Sequence, residues 1–153
     1  MTSSERLLRI LGDVKPLARE YYEITGRPLG ITGEIAEYEA ARILGLELSP
    51  ARQSGYDAVR TTPDGNQRLQ IKGRRLTPFS KPGQRLGSID LTKEWDAVIL
   101  VLLDEYFNPV AIHEADRPVV QDALEAPGSK ARNERGQLAV SKFISIGRRV
   151  WSK

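Results

Sequence analysis

Residues 95–103 constrain the fold more than any other stretch. Trp95-Asp96-Ala97-Val98-Ile99-Leu100-Val101-Leu102-Leu103 is almost wholly apolar and rich in β-branched side chains. A strand with no polar alternation is one buried on both faces. The chain must therefore supply a layer on each side of a central sheet, which dictates a mixed α/β arrangement. The apolar run 97–103 is far too short to cross a bilayer.

The surrounding punctuation supplies those layers. Thr2 and Glu5 have capping-box spacing, and Leu7, Ile10, Leu11, Val14, Leu17, Ala18 and Tyr21 follow at helical intervals. The spacing predicts an amphipathic first helix that Pro16 kinks or divides. Residues 26–30 read as a loop. A second helix is expected from Thr32, with Gly45 as its C-terminal cap. Residues 56–61 and 68–72 read as two strands joined through Pro63-Asp64-Gly65-Asn66, where Asp-Gly favours a tight reversal. Residues 77–87 carry Pro, Gly and Ser and read as a loop. Residues 110–114 read as a further strand and 117–126 as a short helix with Pro118 in its first turn. Residues 127–137 are polar and charged and are expected to be a mobile loop. A basic C-terminal helix is expected over 141–151, with Phe143, Ile146 and Val150 on one face and Ser141 as N-cap. The expected whole is a single domain over residues 1–153, of α/β (α+β) class, with a mixed central sheet flanked by helices.

Composition narrows the chemistry. The 153 residues contain no cysteine, which removes disulfides, thiolate zinc sites and cysteine nucleophiles. The N-terminal residues show no basic segment followed by an apolar one, so no signal peptide is expected and the protein reads as cytoplasmic, with no membrane partner. His113 is the single histidine, which argues against a Ser-His-Asp triad. Gly83 and Gly87 are not followed by the lysine of a phosphate-cradling loop, so no nucleotide cofactor is expected. The net charge of +3 decides nothing by itself. Its distribution says more: Lys72, Arg74 and Arg75 are followed by Lys81 and Arg85, then Lys130 and Arg132, and finally Lys142, Arg148, Arg149 and Lys153. Such clusters suit either a phosphate backbone or an ordinary solvated surface.

One constellation carries chemistry. If the hairpin closes at Asp64-Gly65, the strand bearing Gln70 and Lys72 lies beside Asp57, and the period of two puts Gln70 and Lys72 on one face. A hard divalent cation such as Mg²⁺ takes oxygen ligands. Asp57 offers a carboxylate, Gln70 an amide oxygen and Ile71 a peptide carbonyl, while Lys72 offers a point charge for a water or a phosphate. The bland alternatives are an aspartate closing the Ser54-Gly55 turn and an ordinary edge strand.

Gly55-Tyr56-Asp57-Ala58, with twelve residues between Asp57 and Gln70-Ile71-Lys72, resembles the D…(E/Q)-x-K core of the PD-(D/E)XK phosphodiesterase superfamily. The glutamine form is similar to that of Mrr-type restriction endonucleases. The resemblance spans roughly residues 30–114 and implies a restriction-endonuclease-like fold and Mg²⁺- or Mn²⁺-dependent cleavage of nucleic acid, DNA before RNA. It also implies a glutamate on the preceding helix. Glu37 is chosen because Glu37-Tyr38-Glu39-Ala40-Ala41-Arg42-Ile43-Leu44-Gly45 resembles the family's glutamate, small residues and leucine before a turn, and because Glu37 borders the packed face. Glu34 sits near the helix start, where the macrodipole alone favours a carboxylate, and Glu39 points elsewhere.

The implied metal ligands are Glu37, Asp57, Gln70 and the Ile71 carbonyl. Lys72 assists the water, and Lys72, Arg74, Arg75, Lys81 and Arg85 approach the nucleic acid. Many members of the superfamily act as dimers, which makes a homodimer an expectation. Two departures stand out: Tyr56 replaces proline before the aspartate, and Gln70 replaces an acidic ligand. A nucleic-acid-binding module of the same fold without catalysis therefore stays open as the alternative.

Overall fold

The computed structural model describes residues 1–50, 54–127 and 136–153. Lys130 and Arg132, with most of the expected loop 127–137, lie outside the described residues.

Strand β4, Ala97–Leu103, is buried throughout. Ala97, Ile99, Val101 and Leu103 face one apolar cluster, while Val98, Leu100 and Leu102 face a second. Each fully buried Val, Leu or Ile contributes about 1.5–3 kcal/mol relative to exposure, so this strand anchors both layers. The sheet around it has six strands among the described residues, ordered β1-β2-β3-β4-β5-β6. These are β1 Glu47–Leu48, β2 Ala58–Thr62, β3 Gly65–Arg75, β4, β5 Pro109–Asp116 and β6 Arg148–Ser152. Only the β3–β4 pair is parallel.

Helices α1, Ser3–Thr25, and α2, Thr32–Leu44, cover the first face. The second face is covered by the β3-to-β4 crossover, through Leu86, Ile89 and Trp95, together with α3, Arg117–Glu125, and α4, Val140–Ile146. Arg117 staples that crossover. It lies over the Trp95 ring at 4.5 Å and donates to the carbonyls of Leu91, Lys93 and Trp95. The Thr2–Glu5 capping box forms as expected, and α1 is not divided at Pro16. Buried Glu39 ties the two helices together, accepting from Lys15 at 3.1 Å and from Arg42 at 2.6 Å. Leu7, Ile10, Leu17 and Ile24 of α1 are exposed. No helix among the described residues is long and apolar enough to cross a membrane.

One expected element is corrected. The C-terminal helix expected over 141–151 is a helix only to Ile146, and Arg148–Ser152 forms strand β6 against β5. Gly147 makes the switch: its backbone is extended (φ −94°, ψ −169°), and a Cβ there would meet the Glu114 carbonyl at 2.7 Å. Arg148 then joins Arg60 of β2 on the buried Glu114 carboxylate, each at 2.6 Å.

The register of α2 on the sheet depends on Gly73. A Cβ on Gly73 would sit 2.6 Å from the Ala36 Cβ and 3.2 Å from the Thr32 carbonyl. Neither neighbour is a flexible tip, so the helix itself would have to move. Gly73→Ala is expected to cost about 1–3 kcal/mol through overpacking, read from the midpoint of urea unfolding. It should also displace Glu37, which adjoins Ala36 in sequence.

Candidate functional site

The site forms where β2 leaves β3. Pairing runs from Thr62↔Gly65 to Ala58↔Leu69 and then stops. Asp57 stands immediately before β2, rather than within it as expected, and carries the pairing one step further. Its N–H donates to the Leu69 carbonyl at 2.8 Å, and its Oδ2 accepts the Ile71 N–H at 2.7 Å. A side chain thus replaces the neighbouring strand, and among the described residues no strand pairs with this edge of β3 from Ile71 onward. The N–H and C=O of one strand residue leave on the same side, so the Ile71 carbonyl faces that edge too. The Asp57 carbonyl accepts the Ser49 N–H at 2.9 Å, fixing the approach from β1.

Gln70 is 7% exposed. Its Nε2 donates to the Gly55 carbonyl at 2.9 Å. A carbonyl can only accept, so the amide nitrogen is assigned to that side and Oε1 turns the other way. That oxygen is buried with no hydrogen-bond partner. A buried acceptor left unmatched costs about 1–3 kcal/mol. Gly55 itself has φ +94°, and a Cβ on it would lie 3.2 Å from both the Glu94 carbonyl and the Lys93 Cβ. The glycine therefore allows the close turn that brings its carbonyl to Gln70.

Lys72 shares the Gln70 face of β3 by strand alternation, and its Nζ donates to the Ser88 carbonyl at 2.9 Å. Burial pushes its pKa down, Asp57 and Glu37 push it back up, and Arg74 lowers it further. Glu37, half-buried on α2, has its carboxyl pushed up to about 7. Burial is the first cause, followed by the charges of Asp57 and Glu34, with Lys72 opposing. Glu37, Asp57 and Lys72 therefore lie within electrostatic reach of one another. Glu34 joins them as a neighbouring charge.

The basic residues divide. Arg74 is half-buried, donates to the Arg85 and Gly73 carbonyls, and has its pKa pushed down by burial. Arg75 alternates to the α1–α2 face. There its guanidinium donates to the Glu105 carbonyl at 3.0 and 2.8 Å and lies over the rings of Tyr22 and Phe107. Arg85 donates to the Gln137 carbonyl at 2.7 Å. Lys81 is exposed.

A hard cation can be tested against this donor set. Among the described residues, no three of His, Cys, Asp and Glu gather as a cage. The oxygens these residues offer are the Glu37 and Asp57 carboxylates, the Gln70 Oε1 left without a partner and the Ile71 carbonyl. All are hard donors, and a site built from one or two carboxylates with waters completing the shell is what Mg²⁺ accepts. The residues present fit such an ion. Two contributors carry no sequence signal. The Ser49 hydroxyl is a second buried atom without a partner, beside Asp57, and the Ser88 carbonyl holds Lys72. Both reach the site through long-range pairing.

Compared with known proteins, the chain matches no protein-family model and no curated protein sequence.

Proposed function

We propose that the protein is a metal-dependent nuclease that hydrolyses phosphodiester bonds of nucleic acid, DNA before RNA, in the manner of the PD-(D/E)XK superfamily that its D…Q-x-K pattern resembles. One observation carries the reading: Glu37, Asp57 and Lys72 act on one another's charge at a strand edge where the Gln70 amide oxygen has no partner. Glu37, Asp57, Gln70 Oε1 and the Ile71 carbonyl would hold Mg²⁺ or Mn²⁺. When bound, the ion polarises the phosphate and makes water more acidic.

The remaining work falls to this chain. Asp57 is fixed by the Ile71 N–H, so its carboxylate needs little reordering. Lys72 holds the attacking water at Nζ and accepts its proton as the water oxygen bonds to phosphorus. Its burial raises the fraction of neutral amine available for that step. In its charged form the same group stabilises the extra negative charge on the phosphoryl oxygens. The bond from phosphorus to the leaving oxygen then breaks, and that oxygen takes a proton from solvent water, giving a phosphate end and a free hydroxyl.

The test is to incubate supercoiled, branched and single-stranded substrates with Mn²⁺ and either the wild type or Asp57→Asn. Cleavage by the wild type alone is expected. One other reading is a binding module without catalysis, since Gln70 stands where an acidic ligand is expected. Calorimetry separates the two: Mn²⁺ binding that Asp57→Asn removes supports the enzyme, and no Mn²⁺ binding by the wild type supports the module.

A further inference from the structure

A cavity of about 400 Å³ opens at the far end of β3, between the α1–α2 connection and the loop that follows β3. Its lining includes Arg74, Arg75 and Lys81 and no carboxylate. None of these three cations forms an ion pair among the described residues. Uncompensated positive charge around a concave site calls for an anion.

The same lining is aromatic. Tyr22, Phe79 and Phe107 border the cavity, and Phe79 is 91% exposed. Its position is fixed by a short turn. The Phe79 N–H donates to Thr77 Oγ1 at 3.2 Å, the Thr77 N–H donates to Ser80 Oγ at 2.8 Å, and the Ser80 N–H returns to the Thr77 carbonyl at 3.0 Å. An ordered turn thus presents a bare phenyl face at the rim of a cationic hollow. Phosphate joined to a flat π-system is the ligand chemistry that matches both features, and aromatic stacking accepts any base.

We propose that this cavity binds an unpaired nucleotide beside the scissile phosphate, so that the preferred substrate is a strand with a single-stranded end or gap rather than an intact duplex. Bases inside a duplex have both faces covered by their neighbours and offer Phe79 nothing to stack on. Arg74 of the lining lies two residues along β3 from Lys72, about 7 Å at strand rise, so a strand held at the cavity extends toward Lys72. The inference rests on the nuclease reading for its link to cleavage, while the binding it describes can be measured without it.

The experiment measures fluorescence anisotropy in EDTA with a labelled single strand and with its blunt duplex, for wild type, Phe79→Ala and Lys81→Glu. The wild type is expected to bind the single strand more tightly than the duplex. Phe79→Ala should lose about tenfold on the single strand and nothing on the duplex. Lys81→Glu is expected to weaken single-strand binding and flatten its salt dependence. Equal single-strand affinity of wild type and Phe79→Ala, or a wild-type preference for the blunt duplex, overturns the proposal. Displacement of the strand by micromolar nucleoside monophosphate also overturns it, by showing a site for free nucleotide. Cleavage without Phe79-dependent binding removes this inference and leaves the nuclease. Phe79-dependent binding without cleavage does the reverse.

Discussion

Lys72→Ala is expected to leave the protein folded and to lower the cleavage rate about 10²–10⁴-fold, the usual worth of a positioned proton-transfer group. The fold should survive because the lysine is held at some expense. Its side chain is half-buried, its pKa is pushed down by that burial, and Asp57 and Glu37 offset only part of the effect. Its one hydrogen bond goes to the carbonyl of Ser88, an exposed residue, where water can take its place. Lys72→Arg sharpens the assignment. A guanidinium stays charged at every accessible pH, so it can supply charge but cannot accept a proton. It is expected to be nearly as slow as alanine. Urea unfolding with unchanged slope and midpoint establishes the fold, and single-turnover cleavage gives the rate. Wild-type cleavage by Lys72→Ala would remove Lys72 from the reaction.

The fold was legible where the signal was local or redundant. The run 97–103 announced a strand covered on both sides, because no other element needs seven buried side chains in a row. Asp64-Gly65 fixed the reversal, and with it the register that sets Asp57 beside Ile71. The last turn of the chain was ambiguous for a physical reason. Phe143, Ile146 and Val150 have helical spacing, yet Val150 and Trp151 equally suit a strand. The decision rests with β5, whose edge would otherwise lack a partner, and with the tight approach of Gly147 to Glu114.

The candidate site divides in the same way. Residue types and spacing pointed to Asp57, Gln70 and Lys72, but not to the manner of their assembly. Asp57 stands just outside β2. It bridges the fork with a carboxylate-to-backbone bond. Ser49 and the Ser88 carbonyl come from segments with no pattern of their own. Arg75, one of a basic pair in the sequence, turns to the opposite face from Arg74 because a strand alternates, and aromatic rings of α1 and the β4–β5 turn hold it there.

Glu37→Gln is expected to stabilise the protein at pH 8 while removing its response to metal. The Glu37 carboxyl titrates near 7 in the folded protein against an ordinary 4.5. The folded state therefore holds the proton more tightly than the unfolded chain. Stability falls as pH rises through this window, and the loss is complete above about 7 and absent below about 4.5. At about 1.36 kcal/mol per pKa unit, and discounted for a side chain that water still reaches, the penalty at pH 8 is about 1–2 kcal/mol. Glutamine keeps the shape and discards the charge, so urea unfolding in EDTA should show that gain at pH 8 and almost none at pH 4.5. Added Mg²⁺ should reverse the ranking. A cation that binds the folded wild type stabilises it by mass action, and its affinity should climb with pH up to about 7 as Glu37 gives up its proton. Such a pairing, unfavourable without the ion and favourable with it, is what distinguishes carboxylates gathered for a cation from carboxylates that merely decorate a helix. Equal stability of Glu37→Gln and wild type at pH 8, with the same response to Mg²⁺, would place Glu37 outside the site.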